Sequence, residues 1–359
     1  MSVFLFVIDG FGIWNDKKAS TFENLKNLCG IECKDIPFLS QIGLEYAIKG
    51  KGNLLSPLSV VPGSLEGHRE MMGYISKDVY DMCPERLPSH INNALYRDTN
   101  IKFVGNIKGR GRYIVPQYAN SLENKNVLLY LGFDSTVSIA YRRNDFTLES
   151  MISYADKLME ILHNNSVNVR KIIVRQYDND FKKISDKKEI FKKINFDDII
   201  KELGFSKVII NSKIQDILRL SCAEIKNCNR DNECFDFLNN IKSDGFYFLN
   251  FPDFDFFAHQ GNIDACMQTL IHFDIFIKNF WTRMKENDFI MITGDHGVRF
   301  KDSDLSNTHV LEDVAFLCLD KNGYYCFDGK KIGFNNIYKT IWNIQKKKLI
   351  CDNVVKKFL

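Results

Sequence analysis

The sequence predicts an α/β protein in which a mostly parallel sheet is covered by helices. Nearly continuous apolar runs of strand length alternate with amphipathic helical stretches almost throughout the 359 residues. Such runs are typical of parallel strands buried on both faces by helices. The predicted strands are Val3–Ile8, Val127–Gly132, Lys171–Arg175, Lys207–Asn211, Phe246–Phe251, Phe289–Thr293 and Val314–Leu319. The predicted helices are Leu148–His163 and Ile263–Phe280.

Composition excludes several classes of function. The chain is 45% hydrophobic and 26% charged, and its net charge of +3 is too small to indicate binding to nucleic acid or to a membrane surface. The apolar runs are too short to cross a bilayer, and Met1–Asp9 lacks the basic start of a signal peptide. Ten cysteines occur without a zinc-type pair. We therefore expect a cytoplasmic protein with reduced thiols and leave its oligomeric state open.

Two basic stretches, residues 106–112 and 182–193, interrupt the pattern, and a βαβ-like segment lies between them. Most of their lysines are typical of solvated surface. The segment between them is predicted to be an inserted domain. The expected organisation is a core domain in two parts, 1–95 and 193–359, with the insertion at 96–192.

The pair Asp295-His296 follows an apolar strand and precedes a glycine. Open α/β sheets bind ligands at the carboxyl ends of their strands, and an acid beside an imidazole offers oxygen and nitrogen to a divalent metal. Taken alone, such a pair is more often a turn. Acidic and histidine residues of the same kind stand at other predicted strand ends or turns, namely Asp9, Asp255, His259 and His309.

Three aspartates and three histidines suffice for two metal ions with open positions for a nucleophile and a substrate oxygen. Two-metal phosphoryl transfer requires such an arrangement. The mixed oxygen and nitrogen set suits manganese or zinc better than calcium, and the absence of cysteine ligands argues against a structural zinc site.

Ser64 lies in a Gly-Ser turn, where an exposed hydroxyl can act as a nucleophile. The alternative is a helix N-cap. Glu66, however, is not at the third position after the serine, so it does not complete a capping box. Beside the metal set, the nucleophile is the favoured hypothesis, with His68 as a neighbour of the turn.

Together these segments resemble the alkaline phosphatase superfamily, and within it the metal-dependent phosphomutases. Ser64-Leu-Glu-Gly-His68 is similar to the Ser/Thr-x-x-Gly-His segment that holds the phosphorylated residue in phosphopentomutase and in cofactor-independent phosphoglycerate mutase. Gly67–Gly73 looks like the Gly-His-Trp-Glu-Met-Met-Gly of phosphopentomutase. Asn250–Gly261 resembles the phosphoglycerate mutase segment in its four-residue Asp-to-His spacing, while Asp253-Phe-Asp255 is similar to phosphopentomutase.

The resemblance implies an alkaline-phosphatase-like core with a smaller inserted α/β cap domain. It implies that one ion is held by Asp9, Asp295 and His296, with the oxygen of Ser64. It implies that the second ion is held by Asp255, His259 and His309. Asp253 is the alternative to Asp255, but the alternating apolar pattern and the four-residue spacing favour Asp255.

A sugar phosphate also needs cations for its non-reacting phosphate. Arg175 and Lys213 stand at predicted strand ends and are candidates for this contact, and Asp134 is a candidate for the sugar hydroxyls. The family's Asn-Arg-Arg-Asp segment corresponds here to Ser-Asp-Lys187-Lys188-Glu. Two guanidinium groups are thus replaced by ammonium groups, which alters substrate recognition more than chemistry.

The predicted function is a phosphomutase, an isomerase that moves a phosphoryl group within a pentose 1- or 5-phosphate through phosphorylated Ser64. Two divalent ions are expected, with manganese preferred over zinc or magnesium, and a sugar bisphosphate activator is considered. The alternatives are a phosphatase or phosphodiesterase of the same superfamily, a cofactor-independent phosphoglycerate mutase, and a non-catalytic binding protein that keeps the fold.

Overall fold

A computed structural model describes residues 1–13, 20–77, 80, 83–122, 125–132, 135–178, 182, 188–300, 308–327, 332–346 and 354–358. The strands are β1 Val3–Ile8, β2 Leu54–Ser56, β3 Phe103–Lys108, β4 Val127–Leu131, β5 Thr136–Arg142, β6 Lys171–Tyr177, β7 Lys188–Ile190, β8 Val208–Asn211, β9 Glu224–Lys226, β10 Phe246–Phe251, β11 Phe289–Gly294, β12 Gly297–Arg299, β13 Thr308–Val310, β14 Val314–Asp320, β15 Gly323–Phe327, β16 Ile332–Gly333 and β17 Val354–Phe358.

The α-helices are α1 Thr21–Cys29, α2 Pro37–Leu39, α3 Glu45–Ile48, α4 Ser64–Met71, α5 Ser89–Thr99, α6 Gly111–Gln117, α7 Leu148–Asn164, α8 Phe196–Glu202, α9 Ser212–Leu218, α10 Asp231–Asn239, α11 Asp253–His259, α12 Ile263–Thr282 and α13 Asn336–Gln345. The seven predicted strands and both predicted helices are present, with ends within two residues of the prediction. The α/β fold class is therefore confirmed. No helix among the described residues has both the length and the apolar character to cross a bilayer.

By internal contacts the chain divides into two compact units, Met1–Lys77 with Asn195–Leu359, and Asp78–Ile194. The domain limits proposed from the sequence stay a prediction.

The first unit is built on a sheet whose middle is parallel, in the order β11-β1-β10-β8-β9. All six residues of β1 are buried, as expected for a parallel strand covered on both faces. Beyond β11 the sheet continues through β14, which is antiparallel. Aromatic rings fill the core beside the sheet, and Phe251 meets Phe273 of α12 edge to face at 4.9 Å.

The second unit has its own five-stranded sheet in the order β3-β4-β5-β6-β7. The parallel strands β5 and β6 are joined by α7, which is the βαβ-like arrangement expected from the sequence. The Thr147 hydroxyl accepts a hydrogen bond from the Ser150 amide at 3.2 Å and caps the start of α7. One face of α7 packs on the sheet through Met151, Ala155, Leu158 and Leu162.

Candidate metal centre

Three neighbouring parallel strands bring distant acidic residues to one edge of the first unit's sheet. In the register of β1, Ile8 lies beside Phe251 of β10 and beside Gly294 of β11. The chain leaves all three strands at the same level, immediately before Asp9, the helix α11 and Asp295. Residues almost 290 positions apart therefore meet, because the carboxyl ends of parallel strands share one edge.

The first cluster contains Asp9, Asp295, His296 and Ser64. The Ser64 hydroxyl donates to Asp9 Oδ1 at 3.2 Å, and its Oγ lies 3.2 Å from His296 Nε2. His296 Nε2 is 3.4 Å from Asp9 Oδ1 and 3.5 Å from Asp295 Oδ2. All four residues are buried. The resemblance assigns this same set to one metal ion.

The ionisable groups of this first cluster shift one another's pKa. Burial raises the pKa of Asp295 to about 7, and the neighbouring Asp9 carboxylate adds to the rise. Burial by itself lowers the pKa of His296, but Asp295 and Asp9 outweigh it and raise that pKa to about 9. Burial also disfavours ionised Asp9, yet the Lys213 ammonium and His296 hold the Asp9 pKa well below its ordinary value. The cluster thus concentrates negative charge that a cation would stabilise.

A second cluster forms where α11 meets β13. Asp255 and His259 are one helical turn apart, with Asp255 Oδ2 3.3 Å from His259 Nε2. His309 Nε2 lies 3.6 Å from Asp255 Oδ1 and 2.9 Å from His259 Nε2. Burial, helped by the nearby His296, lowers the pKa of His309 to about 3, which favours the neutral ring that binds metals. Two ring nitrogens and a carboxylate thus converge on one point.

The donor atoms in both clusters fit divalent ions. Among the described residues, Asp255, His259 and His309 present ligand atoms within 4.8 Å of one another, and so do Asp9, Asp255 and His296. Asp255 Oδ1 and Asp295 Oδ2 are buried without a hydrogen-bond partner. Buried carboxylate oxygens are rarely left in this state unless an ion or water completes them.

Asp253, the alternative to Asp255, has other partners. Its carboxylate pairs with the Arg230 guanidinium at 2.6 Å, and its amide donates to Asp231 at 3.1 Å. These contacts fix the start of α11. The side chain that accompanies His259 and His309 is that of Asp255.

Ser64 is the first residue of α4 and not its N-cap. Gly63 takes the cap position with a φ of 146°, in the region that favours glycine. The Ser64 hydroxyl therefore points to the first cluster instead of to the helix backbone. A Cβ on Gly67 would lie 2.3 Å from the Asp295 carbonyl oxygen. Glycine at this position thus allows α4 to approach the end of β11.

The buried side-chain amide of Asn250, which the sequence did not single out, links α4 to the first cluster. Asn250 Nδ2 donates to Asp9 Oδ2 at 2.9 Å, while Asn250 Oδ1 lies 3.0 Å from His68 Nε2. His68 Nδ1 lies 2.7 Å from the Ser64 carbonyl oxygen. Asn211 holds the Asn250 backbone from the neighbouring strand. The only available signal was a polar residue inside the apolar run Phe246–Phe251.

Lys213, predicted to contact substrate, is the second residue of α9. Its ammonium lies 3.0 Å from Asp9 Oδ2. Burial lowers the pKa of Lys213, but Asp9, Asp295 and Asp255 outweigh that effect and the pKa is raised. The Lys213 side chain is 38% exposed, and its ammonium contacts the first cluster at Asp9.

The other predicted substrate residues lie in the second unit or outside the described residues. Arg175 projects from β6 opposite Ala140, and its Nε is buried without a hydrogen-bond partner. Lys188 starts β7 and is exposed. Asp134 and Lys187 lie outside the residues that the structure describes.

Comparisons with known proteins identify a family and several relatives. The profile of the Metalloenzyme superfamily matches residues 1–347. The phosphopentomutase of Helicobacter pylori (strain HPAG1) is 25% identical over 394 aligned positions, covering 94% of this chain and 94% of that protein. The phosphopentomutase of Clostridium perfringens (strain SM101 / Type A) is 26% identical, covering 88% and 87%. Among solved structures, the PH0037 protein from Pyrococcus horikoshii aligns over 97% of this chain with a TM-score of 0.47 and 11% identity.

Proposed function

This chain belongs to the Metalloenzyme superfamily, and from that premise we propose that it interconverts pentose 1-phosphate and pentose 5-phosphate through a phosphoryl group carried on Ser64. Family membership and the curated relatives make the chain an intramolecular phosphotransferase that uses divalent metal. The pentose substrate, the phosphoserine and manganese as the metal belong to the proposal.

The position of the Ser64 hydroxyl is the observation that carries the proposal. Its Oγ lies 3.2 Å from both Asp9 Oδ1 and His296 Nε2, inside a buried cluster in which Asp295 Oδ2 has no hydrogen-bond partner. A serine that only capped a helix would direct its oxygen to backbone amides. An oxygen turned instead toward carboxylate and imidazole groups supports the proposal that Ser64 is an additional metal ligand and the nucleophile.

The residues present suit two ions, one held by Asp9, Asp295, His296 and Ser64, the other by Asp255, His259 and His309. When bound, such ions lower the pKa of the nucleophile and neutralise charge on the transferred phosphoryl group. The chain's own contribution is positional. Asn250 and Lys213 hold Asp9, while His68 holds the Ser64 backbone.

Transfer is proposed in two balanced steps. The phosphoryl group on Ser64 Oγ passes to the free hydroxyl of a pentose monophosphate, which gives a pentose bisphosphate and free Ser64. The bisphosphate then turns, and its other phosphoryl group returns to Ser64 Oγ to leave the isomeric monophosphate. Lys213, which lies beside the Ser64 cluster, is proposed to hold a substrate phosphate, because a dianion needs cationic partners. Arg175 stays a separate candidate for phosphate binding.

A substrate panel with manganese tests the proposal. Ribose 5-phosphate should give ribose 1-phosphate, with little release of inorganic phosphate, and 3-phosphoglycerate and hexose phosphates should react more slowly. If ribose 5-phosphate gave only free phosphate, the protein would be a phosphatase of the same superfamily. If 3-phosphoglycerate were the best substrate, the pentose assignment would be wrong.

The Ser64→Ala variant tests whether Ser64 carries the phosphoryl group. The variant should lose turnover and phosphoenzyme while it still binds manganese, because six of the proposed ligand side chains remain. Ser20→Ala is the matched control, since Ser20 caps α1 through a bond to the Glu23 amide at 3.2 Å. It should keep full turnover. Mutase activity retained by Ser64→Ala would remove Ser64 from its role.

A further inference from the structure

The Glu70 carboxylate links α4, which begins at Ser64, to the chain segment that precedes Ser64. One oxygen accepts a hydrogen bond from the Leu58 amide at 2.9 Å. The other accepts from the Ser59 amide at 3.0 Å and from the Ser59 hydroxyl at 3.0 Å. Glu70 therefore binds two successive residues that lie between β2 and Ser64.

Glu70 is an acidic residue on α4, yet it is completely buried. Burial raises the pKa of Glu70, and the bonds from Leu58 and Ser59 partly offset this effect. The Phe334 backbone, just before α13, donates to the same carboxylate. Three separate segments are thus joined at one side chain. Buried carboxylates with this many amide donors are structurally costly to replace.

The hydrogen bonds of Glu70 to Leu58 and Ser59 close a short loop of the chain that contains Ser64. Glu70 lies six residues after Ser64 on α4, and Ser59 lies five residues before it. Only residues 60–63 are left between the tied segment and the nucleophile. Val60 within this stretch is 60% exposed, so packing restrains it weakly. The hydrogen bonds of Glu70 and the backbone of Gly63 therefore both contribute to the course of the chain into Ser64.

We propose that Glu70 is a positioning residue for Ser64, which keeps the Ser64 oxygen directed at Asp9 and His296 during phosphoryl transfer. The role rests on the proposed function of Ser64. Glu70 touches neither the substrate nor the proposed metal ligands. Its effect passes through the backbone of residues 58–63, and displacements of about 1 Å at a reacting atom can cost on the order of 100-fold in rate.

Glu70→Gln is the test, because the amide keeps the shape but has a single acceptor oxygen. Its NH2 group must then face a Leu58 or Ser59 donor. The rate at which Ser64 acquires phosphate from labelled ribose 1,5-bisphosphate in the presence of manganese should fall by about 10- to 100-fold. The affinity for manganese should stay within about twofold, because the six proposed ligand side chains other than Ser64 are unchanged. The KM for ribose 5-phosphate should also stay within about twofold, because Lys213 is unchanged.

Asp274→Asn is the matched control. Asp274 is also buried, and it accepts bonds from the Phe38 and Leu39 amides at 3.3 and 2.6 Å. Burial raises its pKa as well. It lies on α12, outside the cluster around Ser64. The control should lose stability much as Glu70→Gln does, yet label Ser64 at the wild-type rate at a temperature where both variants are folded.

The outcomes separate the role of Glu70 from general stability. Slow labelling in Glu70→Gln alone supports the role. Wild-type labelling in Glu70→Gln, or equally slow labelling in both variants, overturns it. If Glu70→Gln does not fold, Ser59→Ala removes only the hydroxyl contact and should slow labelling by about 2- to 10-fold; an unchanged rate then overturns the role. If wild-type protein never acquires phosphate on serine, the proposed function fails and the role of Glu70 with it.

Discussion

Replacement of Lys213 by methionine should change the stability and the metal affinity of the protein in opposite directions. The Lys213 ammonium lies 3.0 Å from Asp9 Oδ2, and the Asp9 side chain is 1% exposed. At an effective dielectric constant of about 20, the attraction over this distance is about 5.5 kcal/mol before desolvation. Because Lys213 is 38% exposed, solvent screens the pair, and a net loss on the order of 1–3 kcal/mol is expected.

The manganese affinity of Lys213→Met should increase, whereas its stability should decrease. Methionine removes a positive charge beside the first cluster, so manganese should bind more tightly, while Asn250 still donates to the Asp9 oxygen that Lys213 had contacted. A gain of about 1 kcal/mol corresponds to roughly fivefold in Kd. Urea unfolding in a chelator measures the first effect, and calorimetric titration with manganese measures the second.

Lys285→Met is the control for this pair of measurements. Lys285 also contacts a carboxylate, that of Asp244, but its side chain is 67% exposed. Its loss should lower stability much less than the loss of Lys213, because solvent screens the exposed pair, and should leave manganese affinity unchanged. Equal stability of the two variants in chelator, or weaker manganese binding by Lys213→Met, would refute the electrostatic account.

Three further predictions address packing, pH and metal exchange. Gly67→Ala should destabilise the fold by about 1–3 kcal/mol, because its Cβ would lie 2.3 Å from the Asp295 carbonyl oxygen; urea unfolding that shows a more stable variant would contradict this. Burial raises the pKa of Asp231 to about 7, so ionisation of the folded state becomes costly as pH rises from about 4 to 7. Asp231→Asn should therefore match the wild type below about pH 4 and be more stable above pH 7, by at most about 4 kcal/mol, and equal melting temperatures at pH 8 would count against it. A chelator should remove metal beside His259, which is 42% exposed, before metal beside His296, which is 1% exposed; release in a single phase would disprove this order.

Local patterns in the sequence predicted many of the strands and helices of the fold. The strand Val3–Ile8 and the strand Phe246–Phe251 begin and end at the predicted residues, because a mainly apolar run bounded by polar, glycine or proline residues is a local property of the chain. The helix Leu148–Asn164 extends one residue beyond its predicted end, which is typical of helix termini that fray. The antiparallel direction of β14 depends on how distant segments pair. No local pattern specifies that pairing.

The types of residue that form the candidate site were also evident from the sequence. Asp9, Asp295 and His296 stand at strand ends, and parallel strands bring such ends together. The choice between Asp253 and Asp255 rested on the alternating apolar pattern and on the four-residue spacing to His259. Tertiary contacts place Asp253 on Arg230 and leave Asp255 with His259 and His309.

The sequence by itself thus determined which groups are available and near which strand ends they lie. Only the tertiary structure decided their orientation. The direction of the Ser64 hydroxyl, the contact of Lys213 with Asp9 and the link through Asn250 all depend on residues between 55 and 241 positions apart. Such contacts form when whole elements pack and buried polar atoms must find partners. That requirement acts across the folded chain and leaves little trace in any one segment of it.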